Sequence, residues 1–309
     1  METAWPVLDL AQWAPTRRTL HSIAQMFGKV RLALAPHQPN FIFTALYVTP
    51  RGFTTSPIPV GLRLVELQLD IVERRIEVSA SDGARREVPF ADLPSIAAVY
   101  AALLEALGAI GVEVELWPVP QEVSDTTPLD RDERPPSFIM EDARRWLAVM
   151  SGTQAVFDRW RAHFFGRTGI QLWWGAFDLA LLLFTGKHVP APLDRGYLIK
   201  YDLDAEMMNA GFYPGDDANA AFFYGYIYPE PAECAQRKVA DGVIWSDTFR
   251  EWIVPYDVVR SAPQPEELLR AFLDGVYSIC GDAANWDRAA HTYVPPPLRH
   301  APNAVRRVP

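Results

Sequence analysis

Residues 27–59, FGKVRLALAPHQPNFIFTALYVTPRGFTTSPIP, decide the predicted fold, because the outline of this stretch returns more weakly between Phe165 and Pro214. In both copies a Phe-Gly-basic triplet at the end of a helix-like segment precedes two apolar runs, and a Gly-Phe pair precedes a proline turn. Further matches follow in the same order: Ser81-Asp82 with Ser246-Asp247, and Val88-Pro89-Phe90 with Val254-Pro255-Tyr256. Several colinear matches indicate duplication of one supersecondary unit.

The first half of the chain is predicted to be a helix, a set of antiparallel strands and a second helix. Apolar residues at helical spacing predict a helix over Thr16–Phe27 that Gly28 ends. The predicted strands are Val30–Ala35, Phe41–Thr49, Leu64–Ile71 and Val112–Trp117, together with a hairpin of Arg75–Ser79 and Arg86–Phe90 around Ser81-Asp82-Gly83. The second helix is Ile96–Leu107.

The second half repeats this order with a longer opening helix. Helices are predicted at Arg144–Phe164 and Glu266–Cys280. The predicted strands are Ile170–Trp174, Phe177–Phe184, Phe222–Tyr228, Gly242–Trp245 and Phe249–Val254. Residues 187–210 have no counterpart in the first half and are interpreted as an insertion, either a surface excursion or a lid.

These boundaries predict two repeats in one chain. The first repeat is 1–117, a linker rich in proline and charge is 118–136, the second repeat is 137–294, and 295–309 is a tail predicted to be disordered. The predicted fold class is α+β, with two tandem helix-flanked antiparallel sheet repeats related by a pseudo-twofold. A ligand cleft is expected between the repeats.

The composition is that of a folded globular protein with an acidic balance. The chain has 309 residues, of which 49% are hydrophobic, and a net charge of −9 at pH 7. It has no basic stripe that could follow a phosphate backbone, so nucleic acid is not an expected partner. Only four of the 29 basic residues are lysines, which is typical of GC-rich bacterial genomes.

Cysteine usage and hydropathy predict a cytoplasmic protein with no membrane interaction. Cys234 and Cys280 are the only cysteines, and their distance in sequence indicates neither a disulfide framework nor a thiolate metal site. The N-terminus lacks the basic and apolar regions of a standard signal peptide. The most apolar run, Phe177–Phe184, contains Asp178 and is shorter than the roughly 18 residues that a membrane span needs.

Asp178 is the leading candidate for chemistry, because it lies among aromatic and apolar residues where an unpaired carboxylate is costly to bury. Two interpretations stay open: a structural ion pair, or a place in a functional site. The structural pair is favoured, with the cation coming from Arg31, Arg51 or Lys187. It predicts that Asp178→Ala destabilises the protein by about 3 kcal/mol or more.

The other candidates rest on weaker signals, because the common phosphate-binding, hydrolase and zinc motifs are absent. Arg31 and Arg51 are candidates for clamping a carboxylate or phosphate, and Thr54 and Thr55 for binding an oxyanion. His21 is a candidate acid–base group, although a hydrogen-bonded core histidine is the favoured interpretation. Five aromatic residues are candidates for stacking on a planar ligand, with core packing as the default: Trp173, Trp174, Tyr213, Tyr224 and Tyr226.

The motifs GKVRLAL, LYVTxRGxTTSPIP, WGxFDLA and AGFxPG resemble those of an uncharacterised bacterial family, a domain of unknown function. The resemblance extends from Trp5 to about Trp286 and implies a single ancestral unit of nearly the whole chain. The family pattern has histidines, of the kind that serve as metal ligands or acid–base groups, where this chain has Asn40, Phe43, Gln171 and Ala205. The resemblance therefore implies that this member binds no metal.

Two functions of different class stay open. The preferred one is a small-molecule-binding or accessory pathway protein without a cofactor. The alternative is a metal-independent enzyme of small-molecule metabolism that uses Asp178, Glu206 or His21 as acid–base groups. An enzyme needs at least two of these groups facing one cleft, whereas a binder needs only a lined cavity. The sequence does not indicate whether the protein is a monomer or an oligomer.

Overall fold

The computed structural model describes residues 5–192 and 203–294, which form helices and two antiparallel sheets of six strands each. The α-helices are α1 (Leu10–Leu34), α2 (Ile96–Ala109), α3 (Met140–Arg161), α4 (Tyr256–Ser261), α5 (Pro265–Ala283) and α6 (Arg288–His291). The 3₁₀ helices are η1 (Pro39–Thr44), η2 (Phe90–Asp92), η3 (Leu129–Arg131) and η4 (Cys234–Gln236). The predicted α+β class is confirmed.

The twelve strands of the described residues are divided between the two sheets in sequence order. Those of the first sheet are β1 (Tyr47–Thr49), β2 (Gly52–Thr54), β3 (Ile58–Val60), β4 (Arg63–Asp70), β5 (Arg75–Ala80) and β6 (Arg85–Val88). Those of the second sheet are β7 (Arg167–Trp173), β8 (Asp178–His188), β9 (Ala205–Tyr213), β10 (Phe222–Tyr228), β11 (Ile244–Ser246) and β12 (Glu251–Pro255). None of the helices in the described ranges is long and apolar enough to cross a membrane.

The first sheet has the order β1-β2-β4-β5-β6, with β3 paired to β4 outside this path. The predicted hairpin is confirmed: β5 pairs with β6, and Gly83 takes the positive φ of +91° that the turn requires. The alternation read in β4 also holds, because Val65, Leu67 and Leu69 are fully buried while the residues between them are partly exposed. Helix α2 packs against β5 and β6.

The second sheet has the order β11-β12-β10-β9-β8-β7, so β8, β9, β10 and β12 are its interior strands. Helix α3 packs against β7 and β8, and α5 packs against β9 and β10. These helices cover one face, on which β8 places the buried side chains of Leu179, Leu181 and Leu183. The opposite face carries the candidate site.

The two sheets meet at their edges and share one core. Leu46, just before β1, exchanges two backbone hydrogen bonds of 2.9 and 2.8 Å with Leu172 of β7. In the core, the ring of Phe53 from the first sheet lies 6.2 Å from that of Trp146 in α3 and 5.5 Å from that of Phe27 in α1. One hydrophobic cluster therefore extends through both halves.

Helix α1 is longer than predicted, and the predicted strand Val30–Ala35 is wrong. Gly28 lies within α1, which continues to Leu34. A Cβ at Gly28 would lie 2.1 Å from the indole of Trp174, so the glycine permits close packing of that ring rather than ending the helix. The helix ends instead before Pro36, whose ring disfavours helical geometry at Ala35, where ψ is 142°.

Three further predictions about elements need correction. In the run Phe41–Thr49, the first four residues belong to the 3₁₀ helix η1, and only the last three form strand β1. Residues 112–117 form no strand, although Val112 and Leu116 are buried. The predicted insertion 187–210 is wrong at both ends, because Lys187 and His188 end β8 and residues 205–210 belong to β9, which is paired on both sides.

Two predictions concern residues that the described ranges leave out. Part of the remaining excursion, 193–202, and the predicted disordered tail, 295–309, both lie outside the described residues.

The 118–136 segment runs along α1 and is held there by side chains of that helix. The Lys29 ammonium donates to the carbonyl of Val119 at 2.8 Å. The amide of Gln25 donates to the carbonyl of Gln121 at 2.8 Å and accepts from its N–H at 3.1 Å. The only regular element of the 118–136 segment is η3, in which Leu129 is buried. The predicted linker is thus packed against α1.

The predicted pseudo-twofold relation between the halves stays a prediction. Val88-Pro89-Phe90 and Val254-Pro255-Tyr256 both end a strand and begin a helical turn. In contrast, Phe27-Gly28-Lys29 lies inside α1, whereas Phe165-Gly166-Arg167 follows α3 and leads into β7. That first sequence match therefore joins positions with different structures.

Candidate functional site

The candidate site is a cavity of about 440 Å³ on the face of the second sheet that is not covered by α3 and α5; we call it the central cavity. Alternate side chains of a strand point to opposite faces, so β8 contributes Asp178 and Leu182, while the leucines between them enter the core. The end of α1, η1 and the 118–136 segment complete the wall. The lining residues are Leu32, Phe41, Thr44, Gln121, Glu122, Trp173, Trp174, Gly175, Ala176, Asp178, Leu182, Asn209, Tyr213, Asp216, Asn219, Phe222, Tyr224, Tyr226, Phe249 and Glu251.

At the centre of the wall, the phenol of Tyr224 donates a short hydrogen bond to the carboxyl group of Asp178. These residues are on β10 and β8, with β9 between them, so the tyrosine side chain must cross one strand. It crosses at Gly211, which lies opposite Tyr224 in the pairing of β9 and β10. A Cβ at Gly211 would lie 2.4 Å from the phenol oxygen, so only glycine leaves room for this contact.

Glu122 belongs to the 118–136 segment and lines the central cavity. Its carboxylate packs over the turn between β7 and β8, where a Cβ at Gly175 would lie 2.2 Å from Oε2. Both sides of this contact have unusual backbone geometry, with φ of +57° at Glu122 and +65° at Phe177, the residue before Asp178. Positive φ at non-glycine residues is strained and often accompanies functional sites.

Burial and mutual repulsion keep three carboxyl groups of the cavity protonated to unusually high pH, whereas at the fourth, Asp216, hydrogen bonds from Tyr213 and nearby backbone N–H groups outweigh burial and lower the pKa. Burial raises the pKa of Asp178 to about 7, against the opposing effect of the Tyr224 hydrogen bond. Burial, followed by the charge of Asp178, raises the pKa of Glu251 to about 8. Partial loss of water also raises the pKa of Glu122. The cavity therefore holds acids that exchange protons near neutral pH.

The rest of the wall is mainly aromatic. Trp173, Trp174, Tyr213, Tyr224 and Tyr226, which the sequence suggested as a stacking group, all line the central cavity. Phe41, Phe222 and Phe249 add three further rings. Such a surface suits a ligand with apolar or cationic groups.

Asn209 of β9 contributes a hydrogen-bond acceptor without a donor. Its side-chain nitrogen donates to the hydroxyl of Tyr226 at 3.0 Å. Its Oδ1 is buried and has no hydrogen-bond partner among the described residues, and only 8% of Asn209 is exposed. A buried polar atom without a partner is costly, and a donor supplied by a ligand would remove that cost.

A second cavity, of about 520 Å³, adjoins the central one and shares Glu122, Ala176, Tyr213 and Asp216 with it. His21 lines this second cavity and does not line the central one. The imidazole Nε2 lies 2.9 Å from the carbonyl oxygens of both Trp174 and Gly175. Burial lowers the pKa of His21 to about 4, so the neutral ring supports the turn before Asp178.

The predicted arginines and threonines lie outside the central cavity and have partners elsewhere. Arg31 donates to the carbonyls of Phe43, at 2.7 Å, and Thr55. Arg51 pairs with Asp70 at 2.6 Å and with Glu73 at 3.3 Å. The hydroxyl of Thr54 donates to Glu66 at 2.6 Å, and that of Thr55 accepts from the Leu67 N–H at 3.0 Å.

The expected cation partner of Asp178 is wrong. Arg31 and Arg51 have the contacts just described, and Lys187 pairs with Glu206 at 3.3 Å. The partner of Asp178 is the neutral phenol of Tyr224, because the strand pairing brings β10 to this carboxylate. Glu206 does not line the central cavity, and alternation along β9 directs it to the face opposite Asn209.

The positions that the family pattern assigns to histidine are spread along the second sheet, because Gln171 pairs with Ala180 near the start of β8, whereas Ala205 pairs with His188 at its end. Asn40 donates to Asp204 at 3.1 Å, next to Ala205, and Gln171 is buried in β7 two residues before Trp173. Across residues 5–192 and 203–294, no group of three or more His, Cys, Asp and Glu side chains is arranged to hold a metal ion.

Sequence reasoning missed Glu122, Glu251 and Asn209. Glu122 lies in a segment without periodicity, and Glu251 begins a short strand where a solvated charge is ordinary. A usable signal was the glycine of the AGFxPG motif, since glycine inside a strand often marks a close approach of another group. Here that group is Tyr224.

Comparison with known proteins identifies the family of this chain and finds no match to an individual protein. No curated protein and no solved structure matches the chain. One family model matches residues 5–293, which is nearly the whole chain and confirms the resemblance seen in the sequence. The chain therefore belongs to the family described as Family of unknown function (DUF5996).

Proposed function

We propose that this chain binds a small organic molecule in the central cavity. The observation that carries the proposal is the convergence of aromatic rings with the carboxyl groups of Asp178, Glu122 and Glu251 in one cavity of about 440 Å³. Ligand sites are typically concave, mainly apolar and of this size, with a few polar groups that orient the ligand. The unpartnered oxygen of Asn209 adds a polar contact that a ligand could complete.

A thermal-shift screen with metabolites is the direct test, because a ligand that prefers the folded state raises the melting temperature. We expect hits whose affinity falls in Trp173→Ala, which removes a ring from the cavity wall. Trp117→Ala is the matched control, since Trp117 is 71% exposed and does not line the cavity. Hits that bind Trp173→Ala as tightly as the parent, or a complete absence of hits, would contradict the proposal.

A second candidate function is metal-independent acid–base catalysis in the same cavity. Of the three predicted acid–base residues, only Asp178 lines the central cavity, but Glu251 accompanies it there. Their pKa values of about 7 and about 8 suit proton transfer near neutral pH. Mass spectrometry of each hit after incubation separates the functions: a binder returns the compound unchanged, whereas an enzyme converts it and loses turnover in Asp178→Asn.

A further inference from the structure

We propose that the ligand of the central cavity is an organic ammonium ion with at least one N–H, held between aromatic rings and the carboxyl groups of Asp178, Glu122 and Glu251. This inference rests on the proposed function, because it names the chemical class of the ligand bound in that cavity. Three features of the wall support it: its charge, its rings and its unpartnered acceptor.

The charge of the wall is acidic and uncompensated. None of the described residues that line the central cavity is Lys, Arg or His. Among the residues that the structure describes, the carboxyl groups of Glu122 and Glu251 have no side-chain hydrogen bond or ion pair, and that of Asp178 has only the Tyr224 phenol and its own backbone N–H. The carboxylate of Asp216 accepts hydrogen bonds from Tyr213 and Asn219 but has no cation partner among the described residues. Buried carboxylates are normally paired with a cation. Here the complementary charge would come from the ligand.

The aromatic rings provide the second feature. A cation is attracted to the face of an aromatic ring within about 6 Å of its centroid, more strongly when water is excluded. The chain already uses one wall residue in this way, because the ammonium of Lys29, outside the cavity, lies 5.4 Å from the centroid of Trp174. The rings of Tyr213, Tyr224 and Phe222 offer further faces beside the carboxyl groups.

Asn209 provides the third feature and narrows the class of organic cation that the cavity would bind. Its buried Oδ1 lacks a donor, and an organic cation that carries an N–H, such as a protonated amine, can supply one. A quaternary ammonium ion has no N–H and would leave this oxygen unsatisfied. We therefore expect primary, secondary or tertiary amines to bind more tightly than their fully methylated analogues.

A bound cation should also change the protonation of the wall. Asp178 faces Tyr224 on β10 and Glu122 on the 118–136 segment, while Glu251 on β12 and Tyr213 on β9 lie near enough to interact with its charge. An ammonium ion beside these groups favours their ionised forms, so binding should release protons between pH 6 and 8. Affinity for the amine should rise over the same interval, while affinity for a neutral compound should not.

The experiment uses three probes of one shape: 2-phenylethylamine, the neutral 2-phenylethanol and the anionic 3-phenylpropionate. They are titrated calorimetrically into the full chain at pH 6 and pH 8, in buffers of different ionisation enthalpy that report proton release. N,N,N-trimethyl-2-phenylethylammonium tests the need for an N–H. We expect the amine to bind at least about tenfold more tightly than either the neutral or the anionic probe. The free energy of a tenfold change in affinity equals that of a shift of about one pKa unit.

Three variants locate the interaction. Glu251→Gln and Asp178→Asn should each weaken the amine about tenfold and change 2-phenylethanol less than about twofold, as expected when one charge partner is removed. Glu206→Gln is the matched control, because Glu206 is a carboxylate of the same sheet outside the cavity. It should leave both affinities unchanged.

The outcomes separate the inference from the proposed function. If the metabolite screen yields cavity ligands that are only neutral or anionic, or if 2-phenylethanol binds as tightly as the amine, the ammonium class is wrong while small-molecule binding stands. If the amine binds equally well to Glu251→Gln and Asp178→Asn, its site lies elsewhere and the inference falls. If no compound of any charge binds in the cavity, both proposals fail.

Discussion

At the scale of single residues, Asp178 determines the chemistry of the cavity because it is buried without a cation. Only 8% of Asp178 is exposed, as is also the case for Asp70, which pairs with Arg51. Burial alone would raise both pKa values. For Asp70 the hydrogen bond and charge of Arg51, together with the backbone N–H groups of Glu73 and Val72, outweigh burial and lower the pKa. Asp178 has only the phenol of Tyr224 and its own backbone N–H, and burial raises its pKa to about 7. The loss of water around Asp178 and the ion pair at Asp70 therefore move the two pKa values in opposite directions.

This contrast predicts how stability depends on pH. A carboxyl group whose pKa is raised by folding stabilises the folded state below the unfolded pKa, and this contribution is lost as pH rises through the folded pKa. For Asp178 the interval runs from 3.8 to about 7. Asp178→Asn should therefore match the parent near pH 4 and become more stable than it by pH 8, by at most about 4 kcal/mol at about 1.4 kcal/mol per pKa unit.

Urea unfolding at several pH values measures this difference. The matched control is Asp70→Asn, which should destabilise the protein at neutral pH because it leaves Arg51 without its closest partner. The large loss expected from a buried ion pair at Asp178 has no basis in the structure, since that pair is absent. A constant stability difference between Asp178→Asn and the parent across pH 4–8 would show that Asp178 does not hold a proton in the folded state.

The Tyr224 hydroxyl should tune the pKa of Asp178. Its hydrogen bond favours the ionised carboxylate, so Tyr224→Phe should raise the pKa of Asp178 above its value of about 7. Carbon-13 NMR titration of the aspartate carboxyl signals measures the change. Tyr256→Phe is the control, because that hydroxyl donates to the carbonyl of Pro6 outside the cavity. A pKa of Asp178 that falls or stays constant in Tyr224→Phe would refute this role.

At the scale of elements, the cavity depends on strand β9 having no side chain at Gly211. A Cβ there would lie 2.4 Å from the Tyr224 ring, so Gly211→Ala should push the phenol away from Asp178. We expect a loss of stability of about 1–3 kcal/mol from overpacking, together with loss of ligand binding.

Gly108→Ala is the matched control for this prediction. Gly108 lies inside α2, and a Cβ there meets nothing within 4 Å. This change should stabilise the helix by about 0.5–1 kcal/mol, because alanine loses less conformational freedom on folding than glycine. Thermal unfolding of both variants measures the two effects. A Gly211→Ala protein with unchanged stability and unchanged binding would contradict the steric argument.

At the scale of the whole molecule, the two halves should unfold together. The Leu46–Leu172 hydrogen bonds join the sheet edges, and Phe53 packs against Trp146 across the halves. Because both halves contribute to one core cluster, neither is expected to keep its packing alone. Urea unfolding followed by circular dichroism and by tryptophan fluorescence should show coincident single transitions. Two separated transitions would indicate that the predicted repeats are independent domains.

The sequence alone predicts the elements whose patterns are local. The alternation of Leu64–Ile71, the Asp-Gly turn and the periodicity of Ile96–Leu107 were each sufficient, because strand, turn and helix there use the conformations that those residues favour by themselves. Local patterns also identified Asp178 and the aromatic residues that now line the cavity. They could not identify the neighbours of those residues.

Tertiary structure decided the rest, because the determining contacts join distant parts of the chain. Gly28 reads as a helix stop until the indole of Trp174 is seen to pack against it. Similarly, Asp178 looks like one half of an ion pair until β10 brings it a phenol. Glu122 looks like part of a linker until the 118–136 segment folds back over the turn at Gly175. Each outcome depends on the packing of one strand, helix or segment against another, which no window of adjacent residues encodes.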